Sequence, residues 1–429
     1  MMTHQPTKRT DIALVGGGLT TYMMAAVLQH SGFDFVWFSG AEPDARQHKD
    51  TRTTTLHHAG KTMLETLGVW DRLGEHAWPL TDIHVKISHR HPRKSASGQH
   101  QDGYKHTQKD APQTSRPQNS HPWPLHFASD APPMGYVVDN QKLRDALEPL
   151  TKNVPRQACK ITRTAPASPC QIETDTGQQW ECDLLIACDG PASPLRAQAG
   201  LQAKKQDRGQ TAIVTNIQTN RAINHTAWQI FCPEGPLALM ATNSHQASVV
   251  WTVSDSKARE ILALEDTDFN AALQASFGNN LGDLSVCSPR LVWPLRPVFV
   301  RKRVAEGFVL AGDAAHALHP LAGMGYNLAL GDAAVLLDCL QQARQRGLSA
   351  GHISVTAAYQ NRRNAEILAL TGVTQILDRM LSRKRGLLTA LGAAGMAILG
   401  RTALRHRISN IAMGGTLSPA PLFSGKLHS

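Results

Sequence analysis

No run of apolar residues in this 429-residue chain reaches the roughly 20 that cross a bilayer as a helix. The opening residues MMTHQPTKRTD carry charge, and the apolar run behind them, DIALV before Gly16, is too short for a signal peptide. Neither a membrane span nor a secretory leader is expected, and a cytoplasmic location follows. Cysteine is sparse and scattered: seven residues, an odd number, with no C-x-x-C pair, suggest neither a zinc site nor a disulfide framework and suit a reducing compartment. A metal box and a Ser-His-Asp pattern are also missing. Charged residues make up only 18% of the chain against 41% apolar, a globular composition with enough length for two domains and a large core.

Charge is unevenly placed. Residues 340–429 hold twelve Lys/Arg against Glu366 and Asp378, which accounts for the whole net charge of +10. The aromatic residues that base stacking needs are lacking there, with only Tyr359 and Phe423, so nucleic acid is not expected and an anionic membrane surface is the better partner. Residues 90–122 are rich in His, Lys, Gln, Ser and Pro without apolar periodicity and read as a mobile surface insertion. The flanking IHVKIS and WPLHFAS read as two strands of one hairpin. The clustered His89, His91, His100, His106 and His121 read as solvated rather than metal-binding, because nothing around them fixes a geometry.

What is present begins at LVGGGLTT, residues 14–21. A strand ends at Val15, a helix runs from Leu19 to Ser31 before Gly32, and FDFVWF at 33–38 is a second strand, which makes a βαβ unit. Gly16 allows the tight turn and Gly18 lets backbone N–H groups approach a pyrophosphate. Thr21 replaces the third glycine, whose task is close helix packing, so the donors stay in place. Ser39 stands where an acid normally accepts ribose hydroxyls, with Glu42 three residues on as a substitute. Residues 211–253 alternate in strand fashion, with SVVWTV at 248–253 a buried strand of a second, mostly β domain. GFVLA at 307–311 is another strand, Gly323 to Gln345 a long helix, and the chain after Gly351 reads as helical almost to its end.

Two later segments extend the pattern. LLIACDGPASPLR, 184–196, runs from a strand into Asp189-Gly190. VLAGDAAHALHPLAGMGYNLALGDA, 309–333, runs from a strand into Gly312-Asp313 and then into a G-x-G at a helix start. In form and order these resemble the second and third fingerprints of the class A flavin monooxygenases (the aromatic hydroxylases), and within them the UbiH-like ubiquinone-biosynthesis hydroxylases. The resemblance extends through Asp50, Arg52 and Leu56, GYVVDNQKLRDAL at 135–147, AWQIFCPEGPLALM at 227–240, Trp293-Pro294-Leu295, Tyr359, Arg362 and Ile411–Gly414, and leaves out the polar insertion.

The resemblance implies an α/β fold: a Rossmann-like FAD-binding domain (1–70, 135–200, 296–350), an interleaved β-rich substrate domain (71–134, 201–295) and a C-terminal helical region (351–429). It implies FAD as cofactor and NAD(P)H as electron donor. Gly16, Gly18, Arg52, Asn140, Asp189, Gly190, Gly312, Asp313, Gly323, Met324, Gly325 and Asn327 become the candidate cofactor residues. A strand-end carboxylate such as Asp313 can accept from a ribityl hydroxyl, and Gly323–Gly325 place helix N–H groups beside the flavin N1/O2 edge. Met324 stands where relatives commonly have glutamine. Arg52 either reaches across the flavin or pairs with Asp50, and the family favours the first. Arg196 reads as structural; His316 and His319 read as turn residues, and no acid–base residue is assigned.

The implied reaction is the hydroxylation of a polyprenylated phenol or quinol ring in ubiquinone biosynthesis, O₂ reacting with reduced flavin to a C4a-hydroperoxide that delivers the oxygen atom. Phe231, Pro236, Leu237 and Leu239 are the candidate substrate wall. The implied partners are the lipid-tailed substrate, other ubiquinone-biosynthesis proteins and the inner face of a membrane, met by the apolar segment LLTALGAAGMAILG and its flanking arginines, although the segment itself reads as a core helix. Thr21, Ser39 and Met324 keep open a non-catalytic lipid-binding protein with a degenerate flavin fold; a flavin oxidase or dehydrogenase shares every cofactor motif.

Overall fold

The computed structural model describes residues 6–40, 50–87, 125–129, 132–205, 207, 209–318, 325–381 and 420–426. Three of the four sheets among the described residues organise this mixed α/β chain. In the first, the strand Lys8–Val15 lies between Gln179–Ala187 and Phe35–Phe38, parallel to both, and Phe308–Leu310 adds in parallel beyond Gln179–Ala187. The register levels their carboxyl ends: Val15 is opposite both Ala187 and Phe38, and Ala187 is opposite Leu310. The turns that follow Val15, Ala187 and Leu310 therefore open along one edge, where open α/β sheets bind ligands.

The first helix, Leu19–His30, stops as expected, with Gly32 in the left-handed region at φ 64°. The strand after it starts at Phe35, two residues later than the apolar run, and all four of its residues are buried. The helix Gly325–Gln345 is buried around nearly its whole circumference between the first helix and the helix Ile353–Leu381, as its small and apolar residues on every face allow. The apolar segment 387–400 and Ile411–Gly414 lie outside the described residues, as do the insertion 90–122 with its histidines, Glu42, His319, Gly323 and Met324.

The second sheet is antiparallel except at one pairing and follows the order 284–286, 210–219, 246–254, 235–243, 226–232, 82–87, 125–128, with 291–295 beside 210–219. Its last two strands, Asp82–Ile87 and Leu125–Ala128, form the antiparallel pair predicted on either side of the insertion. Strict alternation gives this sheet two apolar faces. Ile213, Ile217, Leu237, Leu239, Val249, Trp251 and Val253 pack under the helices Asp255–Leu262 and Asp266–Phe277, and the intervening residues look toward the first sheet.

A small third sheet joins the other two: Gly135–Asp139 lies between Thr53–Leu56 and Ala77–Leu80, antiparallel to both. Val138 belongs to the core around the first sheet, and Val137 packs with Leu80, Ala227 and Met240 against the second. Among the described residues no helix is long and apolar enough to cross a membrane.

Candidate functional site

A cavity of about 700 Å³ opens at the carboxyl edge of the first sheet and runs to the second. At one end lie Gly16, Gly17 and Gly18. Gly16 has φ 141°, and a Cβ there would stand 2.4 Å from the Cys188 carbonyl oxygen and 2.5 Å from Thr21 Oγ1. Thr21 is fully buried, so the side chain that replaced the third glycine fills space beside the turn without entering the cavity. Gly18 is different: a Cβ there would meet no protein atom within 4 Å. It caps the first helix with no side chain bonded to the helix N–H groups and no acidic residue in the first turn, which leaves the positive helix end facing open space.

Around this cradle stand the cations Arg52, Arg144 and Lys160 and the carboxylates Asp50, Asp189 and Asp313. Arg52 pairs with Asp50, one of the two sequence alternatives, from a place on the cavity wall. Its guanidinium holds Asp50 through two 2.7 Å bonds while it lines the cavity and lies 4.1 Å over the Trp293 ring. Asn140, first residue of the helix Asn140–Leu147, reaches toward Asp50 through Nδ2 and leaves Oδ1 buried without a partner. Arg52 outweighs the burial of Asp50 and keeps its carboxyl below the usual range. Asp189 accepts from the Leu195 N–H through one oxygen, and its other oxygen is buried without a partner. Burial pushes both Asp189 and Asp313 upward. Ser39, Gly190 and Gly325 also line this half of the cavity.

Two candidate residues stand behind the wall instead of on it. The N–H of Gly312 donates to Asp332 at 2.8 Å. Asn327 donates to the Thr55 carbonyl at 2.7 Å and accepts from the His57 N–H at 3.1 Å, tying the long helix to the third sheet. Arg196 is buried and holds the carbonyls of Ala314 and Pro191, the structural role read for it.

Sequence reasoning missed Asp332. Fully buried, it accepts from Arg363 Nε at 2.8 Å and lies 2.6 Å from His316 Nε2. His316 and Arg363 overcome the burial and hold its carboxyl far below the usual range. Asp332 therefore pins the turn that carries Asp313. Its signal was the GD in LALGDA, an acid inside an otherwise apolar helix, which belongs inside only when paired.

The other end of the cavity is the inner face of the second sheet: Ala212, Val214, Met240, Val250, Trp293 and Leu295. The expected wall of Leu237 and Leu239 is corrected here, because both point to the opposite face and are fully buried under the helices, while Phe231 and Pro236 lie outside the lining. The apolar run 237–241 hides its phase from a reader of sequence. The pairing of Met240 with Ser248 and Leu239 with Val249 settles it.

These features fit a dinucleotide that carries a redox ring. An uncapped helix end and cations suit a pyrophosphate, partnerless carboxyl and amide oxygens suit hydroxyl or N–H donors, and an apolar sheet suits a second, aromatic ligand. Comparison with known proteins agrees. The model of the FAD binding domain matches residues 162–370. Ubiquinone hydroxylase UbiL of Rhodospirillum rubrum is 30% identical over 426 residues, spanning 95% of this chain and 91% of that protein. The 3-demethoxyubiquinol 3-hydroxylase of Escherichia coli is 29% identical over 382 residues, spanning 85% and 87%. Among solved structures, p-nitrophenol 4-monooxygenase PnpA from Pseudomonas putida superposes with a TM-score of 0.72 at 15% identity, over 96% of this chain and all of its own, a likeness of fold. Fold, site and comparisons define an FAD-dependent monooxygenase of mixed α/β architecture. Within that class, the chain belongs to the ubiquinone-biosynthesis hydroxylase family.

Proposed function

We propose that this protein hydroxylates the ring of a polyprenylated phenol or quinol in ubiquinone biosynthesis, with O₂ as oxygen source and NAD(P)H as electron donor. The observation that carries the reading is the single cavity that joins the Gly16–Gly18 cradle to the apolar face of Met240, Val250, Trp293 and Leu295. Bound FAD would supply the redox chemistry that transfers oxygen from O₂ to the ring. The chain's own part is to bind, orient and exclude water.

Gly16 and Gly18 would admit the pyrophosphate, with Arg144 near it; Asp189 and Asp313 would accept cofactor hydroxyls, and Asp332 would hold the Asp313 turn in place. Arg52 and Asn140, fixed through Asp50, would border the ring system. Gly325 at the start of the long helix would stand at its polar edge, backed by Gly312 and Asn327, while Gly323 and Met324, grouped with it by the sequence, lie outside the described residues. None of the six sheet residues at the far end carries a titratable group, so that end positions a ring and keeps it dry without moving a proton. Residues 1–70, 135–200 and 296–350 would form the cofactor domain, 71–134 and 201–295 the substrate domain, and 351–429 the helical end. The basic balance of 340–429 would favour an anionic membrane surface, where a polyprenyl substrate resides.

The test starts with absorption spectra of purified protein with and without added FAD, and identification of any released ligand. A flavin spectrum, followed by NAD(P)H-dependent formation of a hydroxylated ring from a detergent-solubilised polyprenylphenol, is the expected result. A folded, colourless protein that ignores saturating FAD would overturn the flavin reading; a flavoprotein that oxidises NAD(P)H and leaves such rings untouched would overturn the substrate.

A further inference from the structure

The histidines of the insertion read as solvated; a different group of metal-binding side chains lies on the two strands that flank it. Asp82 and His84 are two residues apart on one strand, so both side chains project from one face. His126, on the next strand, is the direct cross-strand partner of His84, and the rings stack with centroids 4.4 Å apart and planes 1° from parallel. Asp82 Oδ1 lies 2.8 Å from His126 Nε2, and Asp82 Oδ2 accepts from the Thr81 hydroxyl at 2.7 Å. One ligand atom from each of Asp82, His84 and His126 lies within 4.8 Å of the other two.

We propose that Asp82, His84 and His126 form a site for Zn²⁺. Two imidazoles and a carboxylate are the borderline donor set that zinc accepts, whereas magnesium and calcium take oxygen alone. Tetrahedral bonds of about 2.0–2.2 Å set donor atoms roughly 3.3–3.6 Å apart, so the 2.8 Å contact between Asp82 and His126 opens slightly while the wider separations, within 4.8 Å, close by up to about 1.5 Å. Side-chain rotation supplies that, because His126 is half exposed and stands on an edge strand. Water would complete the tetrahedron.

The position gives the ion a structural task. His84 stacks toward Trp228, a residue of the core beneath the helices, while its neighbour Ile83 packs against the cluster of Met240 and Leu80. The site is therefore on the face of the sheet turned away from the flavin cavity. The strand Leu125–Ala128 is only four residues long, ends the sheet, and reaches its partner through all of residues 88–124. Bringing together strands so far apart in the chain costs entropy, and a metal bridge between them offsets part of it.

Full-length protein, loaded with FAD and stripped of metal by chelator, is titrated with Zn²⁺ while binding and thermal midpoint are recorded. His84→Gln with His126→Gln is compared with a control carrying His91→Gln and His106→Gln. Expected are one tight equivalent and a raised midpoint in wild type and control, and a loss of affinity of about tenfold or more in the double variant, with the flavin spectrum unchanged. Equal affinity in wild type and double variant would overturn the assignment by putting the ion on other histidines. Absence of tight binding in wild type would overturn it too, leaving an ion pair and a ring stack only. If the double variant does not fold, His126→Gln alone carries the comparison.

Discussion

Gly16 and Gly18 stand two residues apart in one turn, yet their missing side chains serve different ends. At Gly16 a methyl group would strike the Cys188 carbonyl and Thr21, at a φ that disfavours it, so Gly16→Ala should destabilise the protein without cofactor by about 2 kcal/mol or more. At Gly18 the space is empty and the backbone conformation ordinary, so Gly18→Ala should leave that stability within about 0.5 kcal/mol while weakening FAD about tenfold. Denaturant unfolding without cofactor and FAD titration separate the two effects; equal stability losses would contradict the division. The glycines were legible because they recur at fixed spacing after a strand. Asp332 was not, since its importance comes from His316 and Arg363, distant in sequence and adjacent only in the fold.

Among elements, the helix His58–Thr66 shows how a single proton bears on stability. Its cap is His57, whose Nδ1 accepts from the Gly60 N–H at 2.8 Å and must therefore be unprotonated. Burial lowers its pKa from 6.5 to about 4. The unfolded chain takes up this proton near pH 6.5 and the folded one only near pH 4, so the contribution is complete above the first value and lost progressively as pH falls toward the second. A difference of that size corresponds to at most about 3 kcal/mol. Stability measured by denaturant from pH 7 to pH 4 should decline, and His57→Asn, which keeps an acceptor at the cap, should flatten part of that slope; identical slopes would refute the role. The strand Gly235–Asn243 carries a second test. Leu239→Ala should cost about 2–5 kcal/mol by opening a void under the helices, whereas Met240→Ala should change stability less and alter substrate affinity. Strands and helices were legible here from period and capping; which face of an apolar strand meets the cavity was not, because that phase is set by pairing partners.

At the scale of the whole molecule, the order strand, glycine turn, helix, strand and the alternating segment 211–253 made the mixed α/β class readable. The joining of the two large sheets by a small third one was not, since Thr53–Leu56, Ala77–Leu80 and Gly135–Asp139 are short and far apart in the chain. A ligand bound between the sheets stabilises only the assembled state, so FAD at a hundred times its dissociation constant should add about 2.7 kcal/mol. Calorimetry should show the added stability shared by both sheets in one transition. A flavin-dependent shift confined to part of the unfolding would show that the sheets melt apart.

The strand Gly135–Asp139 has a consequence for shuffling between relatives. Its neighbouring valines serve different cores, Val138 that of the first sheet and Val137 that of the second, so neither inheritance can be exchanged along this strand without disturbing the other. A chimera that imports a relative's second sheet must bring Ala77–Leu80 and Gly135–Asp139 with it, together with the residues they touch on both sides. Crossovers placed at the conspicuous glycine turns alone would join foreign halves through a seam that neither parent had ever fitted.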